Sequence, residues 1–176
     1  EAVKNKIFGE LGCIHLHDWH TALVLVLLKY DQKYINIRNI RTVFTIHNLA
    51  LQGIRFFRDD ESSLEAWYKN LQYDAETLRD PRYPDCINPV AVGIRLADAV
   101  HTVSRSYSYE ICKPSRKPLF YGGEGLETDL SRARKEKRLF GILNGCNYPR
   151  DYKKPVFKLP DLIDNLDKEV SKWEKT

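Results

Sequence analysis

Four short runs of apolar and β-branched residues punctuate the chain, at 11–17, 42–47, 99–104 and 139–143. Each ends in polar residues or glycine, as strands buried in a sheet do. Helical patterns fall between and after them, at 21–33, 62–78, 89–96, 106–112 and 126–137. Strands that alternate with helices imply crossover connections and a mostly parallel sheet. The fold expected is therefore α/β, a mostly parallel sheet flanked by helices.

Local chemistry marks several boundaries. Asp18 precedes the apolar helix and is expected to cap it. Ser62 and Ser63 stand before Leu64-Glu65-Ala66, a second helix start. Asn88 precedes Pro89, which suits a first helical turn. Asn144-Gly145 reads as a turn closing the last strand. After Tyr148 the pattern changes: 148–160 is rich in Pro, Lys and Tyr, and Leu159, Leu162, Ile163, Leu166, Val170 and Trp173 then share one helical face. The expected division is a domain over 1–147, then a linker and amphipathic helix over 148–176.

Composition narrows the class. The chain has 176 residues, 43% of them apolar and 30% charged, which suits one globular domain with a core. Its longest apolar run is 22–28, far short of a membrane span. The first residues lack the basic-then-apolar order of a leader, and no Met is present, so a piece of a longer protein is expected. The four cysteines (Cys13, Cys86, Cys112, Cys146) are widely spaced, which favours free thiols and a reducing, cytoplasmic setting over disulfides. Net charge is +4. The basic run at 132–138 reads as a solvated helix end rather than a nucleic-acid surface, because no aromatic residues interleave it.

Candidate chemistry gathers at the strand ends. His15-Leu16-His17-Asp18-Trp19-His20 puts three imidazoles, a carboxylate and an indole within six residues. Zinc is one reading, but the acid sits one place early for the H-x-H-x-D-H pattern of metallo-hydrolases, and no metal is expected. His47, Asn48 and Gln52 follow the second strand. Such side chains both donate and accept hydrogen bonds, which suits hydroxyl-rich ligands; Asn48 equally suits a turn. Gly122, Gly123 and Glu124 open a helix, where glycines let backbone amides approach a ligand or simply let the chain turn. Asn144 ends the last strand. These groups would line the C-terminal edge of a parallel sheet, the usual ligand cleft of open α/β folds. No G-x-S-x-G elbow or phosphate-binding glycine loop is present.

Five stretches, in this order, resemble the glycogen synthase and starch synthase family of glucosyltransferases: HLHDWHTALVLVLLK (15–29), TVFTIHNLALQG (42–53), NPVAVGIRLADAVHTVS (88–104), YGGEGLETDL (121–130) and RLFGILNG (138–145). The resemblance implies part of the N-terminal half of a GT-B fold, two Rossmann-like domains facing across a cleft. It implies transfer of glucose from ADP-glucose to the non-reducing end of an α-1,4-glucan such as glycogen, with retention and without a cofactor or metal. It implies catalytic roles for His20 and Asn144, and looser substrate-binding roles for Asp18, His47, Asn48, Gln52, Gly122, Gly123 and Glu124. Neither nucleic acid nor membrane is an implied partner. The chain departs from the family at Arg105, where a proline is usual, and at Asn147, where an acid is usual. The family's lysine-glycine-glycine-leucine motif does not precede Glu1, so the isolated chain is expected not to catalyse. A non-catalytic glucan-binding module, using Trp19, Trp67 and several Tyr, and a zinc hydrolase are the alternatives.

Overall fold

The computed structural model describes residues 11–145, together with Lys168. The chain divides into two units, Glu1–Asn144 and Gly145–Thr176. The amphipathic stripe from Leu159 to Trp173, the boundary at 148, Cys146 and Asn147 lie outside the described residues.

The central element is a four-stranded parallel sheet in the order β1-β2-β5-β6, from strands Cys13–His17, Arg41–Ile46, Ala99–Thr102 and Leu139–Gly141. All four expected strands form. Helices α1 (Asp18–Tyr30), α4 (Pro89–Leu96) and α6 (Glu127–Lys135) make the crossovers, and α4 packs against both of the others. The strand order advances in one direction. Right-handed crossovers then bring all three helices to the same face. Phe44, Ile46 and Val100 point into that face and meet Ala22, Val26, Val90, Ile94, Leu130 and Ala133, all but fully buried.

Local causes set the helix ends. Asn88 Oδ1 accepts from the Ala91 amide at 3.0 Å and caps α4, with Pro89 in its first turn. Arg138 closes the other end of α4, donating to the carbonyls of Ile94 and Ala97 at 3.0 and 3.1 Å. The Arg134 guanidinium lies 3.4 Å from the Tyr109 ring centroid. Much of the basic run is thus used inside the molecule. Arg95 joins three elements: it pairs with Asp129 of α6 at 2.6 Å and donates to the carbonyls of Thr77 and Arg79.

Two expectations need correction. Asp18 does not cap α1: its carboxylate crosses to β2, and Thr21 closes the helix start instead, its hydroxyl accepting from the His17 amide and donating to the His17 carbonyl. The expected helix over 62–78 is two short ones, α2 (Leu64–Trp67) and α3 (Ala75–Leu78). Between them Asn70 adopts φ +69°, a left-handed conformation that interrupts a right-handed helix, and Asp74 caps a fresh start by accepting from the Glu76 amide. A small antiparallel pair, β3 (Arg55–Phe56) with β4 (Cys86–Ile87), and a helical turn at Gln32–Ile37 were not foreseen.

Candidate active site

The C-terminal edge of the sheet is assembled from its joints. Between β1 and α1 there is no loop at all: His17 ends the strand and Asp18 begins the helix. Asp18 turns the chain with φ +54°, a left-handed conformation that aspartate tolerates better than most residues. Its Oδ1 accepts from the His47 amide at 2.9 Å, which ties the head of α1 to the end of β2. This abrupt joint leaves His20 in the first turn of α1, exposed beside the strand ends. The His20 ring lies on the Trp19 indole, with centroids 3.9 Å apart.

The other histidines form a ladder across the sheet. His15 Nε2 lies 2.6 Å from Thr45 Oγ1, and Thr45 Oγ1 lies 3.0 Å from His101 Nδ1. One hydroxyl proton serves two imidazoles, so at least one ring must itself donate. His17 Nδ1 is 3.0 Å from His47 Nε2. Burial pushes the His15 pKa down from the ordinary 6.5, and charge on His17, His101 and His47 would push it further. His15 turns to Thr45, His17 and Asp18 to the ring and the amide of His47, and His20 to Trp19. Among the described residues no group of three or more His, Cys, Asp or Glu side chains could hold a metal ion, and the zinc reading finds no support in this arrangement.

Asn48 sits exposed after β2, and its Oδ1 accepts from the Ala50 amide at 2.8 Å. This is the turn-forming use of asparagine. Leu49 beyond it donates its amide to the Tyr107 hydroxyl. Gln52 is only 6% exposed, and its side chain is fully engaged inside. Nε2 donates to the carbonyls of Leu49 and Glu124, and Oε1 accepts from Arg82 and from Asn88.

Gln52 belongs to a buried network that the sequence did not disclose. Asp80, whose side chain is wholly buried, accepts from Arg82 Nη2 at 3.0 Å and from Asn88 Nδ2 at 2.6 Å. Burial raises the Asp80 pKa, but the donors on Arg82 and Asn88 outweigh it and hold the carboxyl below its ordinary range. Arg82 also donates to the Glu124 carbonyl. The loop after β2, the stretch before β4 and the glycine loop are thereby locked together. The Asp-Pro-Arg triplet at 80–82 carried no recognisable pattern, because its partners lie far along the chain.

In the glycine loop, Gly122 and Gly123 are buried. The amides of Gly122 and Glu124 donate to Ser115 Oγ, and that of Gly123 to the Lys113 carbonyl. The Glu124 carboxylate pairs with Lys117 at 2.7 Å and accepts from Ser115. The loop presents a shape held from within rather than a row of free amides.

Asn144 lies exposed beyond β6. Three strand spacings of about 4.8 Å separate β1 from β6, so roughly 14 Å divides the strand ends that carry His20 and Asn144. Cys13, Cys86 and Cys112 are free thiols. No helix among the described residues is long and apolar enough to cross a membrane.

Comparisons with known proteins agree with this architecture. Residues 1–132 match the model of the starch synthase catalytic domain. The glycogen synthase of Flavobacterium johnsoniae is 36% identical over 144 residues, covering 82% of this chain and 26% of that protein. The glycogen synthase of Desulfitobacterium hafniense is 41% identical over 147 residues, covering 81% of this chain and 28% of its own length. The chain therefore spans about a quarter of the length of these relatives. Among solved structures, the catalytic domain of starch synthase IV from Arabidopsis thaliana, bound to ADP and acarbose, superposes with a TM-score of 0.60 at 26% identity, over 91% of this chain and 32% of that one. A parallel sheet with this strand-end chemistry, matched along three quarters of its length by one family model, belongs to the starch synthase catalytic-domain family.

Proposed function

We propose that this chain is the part of a glycogen or starch synthase that lines one side of its sugar cleft, in a cytoplasmic enzyme transferring glucose from ADP-glucose to the non-reducing end of an α-1,4-glucan with retention. The observation that carries the reading is the exposed His20 ring, held at the head of α1 within His-Asp-Trp-His at the ligand edge of the sheet.

Glycosyl transfer builds positive charge on the sugar ring and negative charge on the departing phosphate. A hydrogen-bonding imidazole and an amide suit a hexose on such a path. His20 would hold a glucose hydroxyl and so fix the ring for attack. Asn144, across the edge, would take a second polar contact. Asp18 and His47 serve through their mutual bond, which fixes the joint that carries His20. Asn48 and Gln52 shape the loop between the two, and Gly122, Gly123 and Glu124 form a rigid wall. No metal is required by this arrangement of roles.

The test is glucosyl transfer by the full gene product, read as ADP release with glycogen as acceptor. His20→Ala is expected to lower kcat by roughly 10²–10³-fold, the scale for losing one oriented hydrogen-bonding group. Full activity in that variant would remove the role assigned to His20. The 176-residue chain alone is expected to release no ADP.

A further inference from the structure

We propose that Trp19 is a positioning residue for His20, and that the segment between β2 and β3 sets the position of both through Gly53 and, at the start of β3, Arg55. The proposal rests on the reading of His20 as a sugar contact.

His20 is exposed, and among the described residues no hydrogen bond restrains its ring. Left alone, such a side chain would sample several rotamers, and a sugar contact would have to order it first. The ring instead lies against the Trp19 indole at 3.9 Å between centroids, tilted by 29°. A stacked aromatic contact favours one ring orientation. Trp19 in turn cannot swing freely. It is half-buried, and a Cβ at position 53 would run into its Cε3, Cδ2 and Cγ atoms. Only glycine lets that backbone pass so close, and Gly53 also adopts φ +69°. The Arg55 guanidinium lies 5.4 Å from the indole centroid, a cation–π distance, while its Nη1 donates to the Ile54 carbonyl at 2.8 Å.

The indole is thus a plate, backed by the loop after β2, on which the imidazole rests. The first turn of α1 supplies the imidazole and the plate, and the segment after β2 supplies the backing. The Asp18–His47 bond joins the same two strand ends at a second point. Catalysis that depends on oriented contacts is sensitive to loss of such a support even when the contacting residue is untouched.

A double-mutant cycle on the full gene product tests this. Trp19→Leu is expected to lower kcat by about 10–100-fold with KM for the donor little changed, whereas Trp19→Phe, which keeps a plate, stays within about 3-fold of wild type. In the His20→Ala background, Trp19→Leu is expected to cost no more than about 2-fold, because the two residues act as one unit. Equal losses in both backgrounds, or full activity of Trp19→Leu, would overturn the proposal. Full activity of His20→Ala would instead overturn the role of His20. Proton NMR reads the stack without any variant. The His20 ring protons are expected to be shifted upfield by the indole and to show contacts with it, and their absence would overturn the geometry.

Discussion

Asn88 performs two jobs with one amide group. Its oxygen caps α4, and its nitrogen donates to Gln52 and to Asp80. Removing it strips a helix cap and leaves two buried acceptors short of a donor. Asn88→Ala is therefore expected to lower stability by about 2–4 kcal/mol in urea unfolding, the sum of a lost cap and an unmet buried group. The sign of its acid effect follows from Asp80. A carboxyl held below its ordinary pKa contributes stability above that ordinary value and loses it as pH falls through the folded one. Taking away a donor raises the folded pKa, so acid unfolding of the variant is expected to begin at higher pH. The capping role of Asn88 was legible, since Asn-Pro before an apolar run is a local signal. The network was not, because its partners Gln52 and Asp80 stand 36 and 8 residues away. The same limit explains Asp18: the sequence offered a local cap, and a partner 29 residues off won.

Among the elements, α4 is the one that every layer touches. Six of its eight residues are buried, and Gly93 faces the Phe44 ring so closely that a Cβ would overlap it. Alanine is the better helix former by about 1 kcal/mol, but crowding a packed core costs about 1–3. Phe44 is fully buried and has no room to retreat. Gly93→Ala is expected to destabilise by up to about 2 kcal/mol, and adding Phe44→Leu to restore part of that loss, both read by thermal unfolding. Sequence patterns located α4 well because its ends and its apolar run agree. They failed for 62–78, where turn chemistry at Asn70 and Asp74 overrides a helix-like period. The strands β3 and β4 are two residues each, too short for any period to register.

Across the whole molecule, alternation of strands and helices was enough to foresee a parallel sheet, but not its order or which face the helices would take. That face follows from handedness once the order is known. The opposite face carries Cys13, His15, His17, Thr45 and His101, a polar surface unlike that of a sheet buried on both sides. The positions of His20, His47, Asn48 and Asn144 beside or beyond the strand ends were legible in the sequence. What was not legible is that much of it is held from behind: by Arg82 under the glycine loop, by Tyr107 under Leu49, and by Gly53 under Trp19.

The one-way strand order also fixes a timetable for synthesis. Within the parallel sheet, each strand after β1 emerges from the ribosome to meet a partner already made: β2 meets β1, β5 meets β2, and β6 meets β5. The bonds that join them span 30, 56 and 41 residues, and the middle step closes the longest loop. That step also delivers α4, which covers the buried side of α1. Chain growth through β5 is therefore the expected commitment point, after which the last strand adds to a finished template. Truncated chains ending at Asp85 are expected to be cut rapidly by protease, and chains ending at Arg105 to resist. Equal resistance of the two would mean that β1, α1 and β2 hold together without waiting for the rest.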